Sequence, residues 1–310
     1  APPAPPHVAQ PDPPSPPYFQ GRMSNGPLWV DYLADMLNVA GPEASQKGTG
    51  GTAYAYAGAA IGPATRIRPS IAIPGQTQVV SDTGKQIDDF LLASPGGRFA
   101  ADQIVLFWGG SQNLLQAALF AASTGAKNNG LAALAASITE FESELRRLDA
   151  NGALRVVVPN QIDPSSAPFF NGYGPPLPPG TKALVAEFTP VFNAQLDAML
   201  AGLMSDSAVQ LQLYPVDMFG LFKRIEADPS AYGFTNNTAP AFIPGLGQVV
   251  PDPTGYLFWD PIHPTTQAHL LMADAVSRAL PLPGTLPLLA LAIFVLAAGA
   301  AVRRAVRGSL

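Results

Sequence analysis

The sequence predicts an α/β fold with a mostly parallel sheet. Three observations predict it. Short apolar runs recur at residues 103–108 (QIVLFW), 155–158 (RVVV) and 209–214 (VQLQLY), each short enough for a strand. Longer helical stretches separate them, at 132–148 and 182–203, with a further one at 218–227. Gly109-Gly110 and Pro159 stop the first two runs, as turn residues do at strand ends. Strands alternating with helices imply βαβ units, and such sheets gather chemistry at the carboxyl ends of their strands.

The elements follow in chain order. Residues 1–17 contain nine prolines, so they read as an extended, solvated segment. Helical patterning begins at Pro27, with Trp29, Tyr32, Leu33 and Leu37 on one face and Ser24 or Asn25 as candidate caps. Residues 48–62 are glycine-rich and read as a loop with a short strand. Lys47 does not fit a phosphate loop. A short helix is expected over 85–92. Residues 132–148 form a long amphipathic helix, with Glu142–Arg146 and Glu144–Arg147 pairs read as its solvated face. The last helix spans 265–280, entered through Pro264 and capped by Thr265. Residues 18–280 thus form one domain, with no internal repeat.

Composition narrows the function. The chain has 310 residues, 47% apolar and 13% charged, enough for a sizeable core. A net charge of −5 argues against a nucleic-acid partner, which needs a basic face. The absence of cysteine excludes disulfides and thiolate chemistry, and three histidines make a His-rich metal site a poor expectation. No cofactor or metal is expected.

Residues 281–310 form a tail. Residues 286–302 are uncharged and apolar, and Arg303, Arg304 and Arg307 follow. Seventeen helical residues reach roughly 25 Å, the short end for crossing a bilayer. The arginines place the C-terminus on the cytoplasmic side and the domain outside. LPLPGTLP, the apolar run and the arginines together resemble a PEP-CTERM or VPLPA-type sorting tail of bacterial exported proteins. That resemblance implies membrane anchoring by the C-terminal helix and cleavage by an exosortase-type enzyme.

The most specific local signal is Asp260-Pro261-Ile262-His263-Pro264-Thr265. An Asp three residues before a His, on a loop held by two prolines, lets the carboxylate reach one ring nitrogen. It fixes the tautomer and leaves the other nitrogen to face a nucleophile. A turn in which both residues merely cap helix ends is the competing reading. Asp163 and Asp217, near strand ends, are candidate supporting carboxylates. His269 reads as a packing histidine, and Trp29, Trp108 and Trp259 as core or cleft walls.

D-x-x-H-P-T before a terminal helix resembles the last signature block of SGNH/GDSL hydrolases. Residues 18–27 (YFQGRMSNGP) resemble that family's Y-x-G-R-F-S-N-G-P segment. Residues 54–59 (YAYAGA) resemble its second block, and 107–113 (FWGGSQN) its third. Residues 158–160 (VPN) and 231–236 (AYGFTN) match further recurring segments in the expected order. The resemblance implies a three-layer α/β/α sandwich of flavodoxin-like topology acting on acyl esters. It implies His263 as general base and then acid, with Asp260 orienting it. It implies Gly58 as a backbone oxyanion donor, with Ala57 the alternative, and a side-chain amide of the third block as the second donor.

Two departures from the pattern stand out. The third block normally reads G-x-N-D; here Gly110-Ser111 is followed by Gln112 and Asn113. Either Gln112 donates, or Asn113 is turned into place, or the hole is impaired. The G-D-S block that carries the nucleophile is absent, and Ser15, Ser24 and Ser111 do not resemble it. In the family that block rides on an interior strand. The expectation is therefore that the intact protein has roughly 10–40 more N-terminal residues carrying that strand, and that residues 1–310 alone turn over little or no ester. A non-catalytic, surface-anchored binding module is the alternative.

Overall fold

A computed structural model describes residues 16–45, 51–69 and 77–281. The fold is mixed α/β. It opens with helix α1 (Trp29–Leu37), a hairpin of β1 (Thr65–Pro69) and β2 (Thr77–Ser81), and helix α2 (Thr83–Ala93). A parallel core follows: β3 (Ile104–Leu106), α3 (Ser111–Thr124), α4 (Lys127–Ala150), β4 (Arg155–Pro159), α5 (Thr181–Ser205), β5 (Gln212–Val216) and α6 (Met218–Ala227). The described residues end with β6 (Asn236–Pro240), β7 (Phe242–Ile243), β8 (Gln248–Val249), β9 (Tyr256–Phe258) and α7 (Thr266–Ala279). Strands β3, β4 and β5 form one parallel sheet in that order, and β6 pairs with β9 in parallel.

Side-chain alternation along β4 explains why helices cover both faces of this sheet. Val156 and Val158 join one core with Leu114 of α3, Phe141 of α4 and Phe188 of α5. Val157, between them, joins the other with Trp29 of α1, Phe222 of α6 and Met272 of α7. A fully buried Phe or Leu contributes about 1.5–3 kcal/mol, so these cores dominate the fold's stability.

Several elements depart from the sequence reading. The strand expected at 209–214 is Gln212–Val216 and contains Pro215. Pro215 is tolerated because, among the described residues, β5 pairs with β4 alone and is an edge strand of this sheet. Helix α3 was not foreseen. It starts from Gly110 with no side-chain cap, and its alanines give a weak apolar stripe. Ser24 and Asn25 do not cap α1, whose N-cap is Leu28. Glu144 is not on a solvated face: it is buried, while Arg147 pairs with Asp88 across to α2. Among the described residues no helix is long and apolar enough to cross a membrane. The run at 286–302, and residues 1–15 of the Pro-rich segment, lie outside the described residues.

Candidate active site

Local hydrogen bonding builds the loop after β9. The Trp259 N–H donates to His263 O at 2.8 Å, and Phe258 bridges to Pro264. Thr265 occupies the N-cap of α7, but its hydroxyl donates to Tyr256 O at 2.7 Å rather than capping the helix. Within this frame Asp260 Oδ1 accepts the backbone N–H groups of Ile262 and His263, at 2.8 and 2.7 Å. Asp260 Oδ2 lies 2.7 Å from His263 Nδ1. The aspartate side chain is 4% exposed and the imidazole 32%, so the acid is inside and one edge of the ring reaches solvent.

Burial alone would raise the Asp260 carboxyl. The neighbouring His263 ring and the two backbone donors outweigh it and hold the group below its usual range. It therefore stays ionised and fixes His263 with Nδ1 as the donor.

Residues 18–27 clasp this loop from the far end of the chain. Tyr18 Oη donates to Asp260 Oδ2 at 2.8 Å, and Ser24 Oγ donates to Pro264 O at 2.9 Å. Asn25 Oδ1 accepts the Thr266 N–H, and Thr266 Oγ1 donates to Pro27 O, both at 2.9 Å. The Ser24 and Asn25 side chains that sequence reasoning assigned to α1 thus serve α7. Gly26 is required here, because a Cβ would lie 2.6 Å from Thr266 Oγ1.

A second cluster holds the glycine turns. Gly58 (φ 75°) is the third residue of a turn closed by Ala59 N–H to Tyr56 O at 3.1 Å, where a positive φ favours glycine. The next three amides are each held by a side chain from another element. Ala60 N–H donates to Asp82 Oδ1 at 2.8 Å, and Ile61 N–H to Asn113 Oδ1 at 2.9 Å. Gly62 N–H is shared between Glu144 Oε1 and Thr83 Oγ1, at 3.1 and 3.2 Å. Thr83 Oγ1 also lies 2.7 Å from Glu144 Oε2. Burial first of all pushes the Glu144 carboxyl up to about 8, against the lowering effect of Thr83 and Gly62.

Of the third-block residues, Gly110 takes φ 124° and starts α3. Gln112 lies half-buried in the first turn of α3 and makes no side-chain hydrogen bond among the described residues. Asn113 is engaged elsewhere, its amide donating to Ser137 Oγ at 2.9 Å. Ser111 Oγ donates to Gln161 Oε1 at 2.6 Å, and Gln161 Nε2 donates to Gly109 O at 2.7 Å.

The dyad loop and the glycine cluster each form one bonded unit. Among the described residues no hydrogen bond joins them, and none joins a serine hydroxyl to His263. Asp163 receives Ser165 N–H and Lys223, and Asp217 caps α6, so both have structural partners. His269 is buried with Nδ1 unpartnered, and burial followed by the charge of His263 pushes it down to about 3. A groove of about 490 Å³ between α5 and β5, lined by Asn160, Asp197, Asp217 and Phe219, touches neither His263 nor Gly58. No group of three His, Asp or Glu among the described residues could hold a metal.

Sequence reasoning placed Glu144 on a solvated face and treated Tyr18 only as part of a motif. Helical spacing carried the signal for Glu144: Phe141, Glu144, Leu145 and Leu148 fall at i, i+3, i+4 and i+7, on the buried stripe.

Comparison with known proteins places the chain among ester-acting proteins. Over 147 residues the chain is 27% identical to a GDSL esterase/lipase of Arabidopsis thaliana, covering 44% of this chain and 40% of that protein. Over 307 residues it is 22% identical to the phosphatidylcholine-sterol acyltransferase of Aeromonas hydrophila, covering 84% of this chain and 81% of that protein. The model of the GDSL-like lipase/acylhydrolase family matches residues 13–276. The chain belongs to the GDSL-like lipase/acylhydrolase family, whose members act on ester bonds.

Proposed function

We propose that this protein is an acyl-ester hydrolase in which His263 is the general base and acid and Asp260 its orienting carboxylate. The observation that carries the reading is the Asp260–His263 pair: 2.7 Å between Oδ2 and Nδ1, a buried acid, and a partly exposed ring. In the proposed cycle His263 takes the proton of an attacking serine. It returns that proton to the leaving alcohol, and Asp260 stabilises the imidazolium between the two steps. Gly58 N–H and the Gln112 amide are the proposed oxyanion donors. Gln112 is preferred to Asn113 because the Asn113 amide is already engaged by Ser137.

The attacking hydroxyl is proposed to be the serine of a G-D-S segment, a block that residues 1–310 do not contain. The acyl acceptor is water or a second alcohol, since the relatives include both an esterase/lipase and an acyltransferase. An exported, tail-anchored placement is proposed on the apolar run at 286–302 and the arginines after it.

Hydrolysis of p-nitrophenyl butyrate tests the reading, measured on residues 1–310 and on the chain extended by its upstream coding sequence. The expected result is turnover only in the extended chain, lost in His263→Ala. Product analysis with added long-chain alcohol separates hydrolysis from transfer. No turnover in the extended chain would favour a non-catalytic ligand-binding module, the reading that Gln112 in place of Asn supports.

A further inference from the structure

We propose that Tyr18 is a positioning residue that sets the basicity of the Asp260–His263 pair; the inference rests on that pair being the acid/base element. Tyr18 Oη donates at 2.8 Å to Asp260 Oδ2, the same oxygen that meets His263 Nδ1 at 2.7 Å. The other carboxylate oxygen is saturated by two backbone N–H groups. Asp260 therefore has one adjustable oxygen, shared by two donors, the phenol and the imidazole.

The phenol is built into place. Its ring meets Phe242 edge-on at 5.5 Å and Trp259 at 6.5 Å, and those two rings stack at 5.6 Å. Its segment is tied down by Ser24 and Asn25 against residues 264–266. Burial first, and then the Asp260 charge, raise the phenol's pKa, so it stays a donor at every working pH.

The consequence is electrostatic. A neutral donor on Oδ2 spreads the carboxylate's charge and weakens its hold on the imidazolium, which makes His263 easier to deprotonate. Too basic a His263 would stay protonated near neutrality and could not accept a proton. Among the described residues, the titratable groups facing His263 are Asp260 on its own loop, Tyr18 through that carboxylate, and His269 from α7, which stays neutral.

Histidine NMR on residues 1–310 reads this without turnover, because the chain has only three histidines. In Tyr18→Phe the His263 midpoint rises by roughly 0.5–1 pH unit, since a donor to the charged carboxylate is lost. Replacing Tyr18 with 3-fluorotyrosine, a stronger donor with the same packing, moves it the other way. Phe188→Ala, in a separate core that touches neither Tyr18 nor Asp260, lowers stability without moving the midpoint. Should Tyr18→Phe fail to fold, the fluorotyrosine arm decides alone. An unmoved midpoint, or a fluorotyrosine shift upward, overturns the proposal. Ester turnover with a His263 indifferent to Tyr18 sinks this inference and spares the hydrolase reading. A responsive His263 in an extended chain that never turns over does the reverse.

Discussion

Replacing Glu144 with Gln should remove most of the protein's loss of stability above neutral pH. Glu144 is 3% exposed and hydrogen-bonded to Thr83 and Gly62. Its carboxyl moves from 4.5 to about 8 on folding, first of all because burial disfavours the charge. At about 1.36 kcal/mol per pH unit, that gap is on the order of 5 kcal/mol.

The sign follows from which state holds the proton. Between 4.5 and about 8 the folded protein keeps the proton and the unfolded chain does not, so stability is full below 4.5 and falls as pH rises. His269 works in the opposite direction. Its folded value of about 3 lies below its ordinary 6.5, so its contribution is present above 6.5 and lost as pH falls toward 3. The two slopes cancel between 4.5 and 6.5. Above 6.5 the Glu144 slope stands alone and costs about 2 kcal/mol by pH 8.5.

Urea denaturation at pH 6.5 and 8.5 tests this. Gln keeps an acceptor for Gly62 N–H and a donor for Thr83, so Glu144→Gln should match the parent only below about pH 4.5; it should exceed the parent by about 3 kcal/mol at pH 6.5 and about 5 kcal/mol at pH 8.5, a gap that widens by about 2 kcal/mol between the two. Any titration shared by both proteins cancels in the comparison. An equal difference at the two pH values would show that Glu144 is charged in the fold, and the argument from burial would fail.

Other substitutions have similarly specific outcomes. His269→Leu should gain about 2 kcal/mol relative to the parent when both are taken from pH 6.5 to pH 5, read by the same denaturation series. Gly110→Ala should lower the thermal midpoint by an amount equivalent to about 1–3 kcal/mol. Its Cβ would lie 2.6 Å from the Phe192 ring, at a φ of 124°. Phe188→Ala should cost about 3–5 kcal/mol, since the ring is fully buried between α3, α4 and α5. In an ester-hydrolysing form of the chain, Gln112→Ala should cut kcat by roughly 10²–10³ while KM holds. Asn113→Ala should instead reduce stability, because it releases Ile61 and Ser137.

The sequence revealed most where residues act over short range. The Asp260–His263 pair lies within one turn, so spacing alone implied their contact, and α6 was read at its observed bounds. Strand β4 was read to within one residue because Pro159 marks its end. What escaped depends on distant partners. Tyr18 meets Asp260 across 242 positions, and the amides of residues 60–62 find acceptors on residues 82, 83, 113 and 144. No local periodicity records such pairings. Helix α3 escaped for another reason. Its buried face is made largely of small residues, Ala117, Ala118 and Ala121, a pattern that carries little amphipathic contrast.

The clasp between residues 18–27 and 260–266 also bears on biosynthesis. Its two halves emerge from the ribosome about 240 residues apart, at a pace of about 5–20 residues per second. For the tens of seconds or less between those events, the tyrosine-bearing half has no counterpart to close upon. The Asp260–His263 loop therefore matures last. A chain emerging N-terminus first cannot close this clasp until nearly the whole domain has been synthesised.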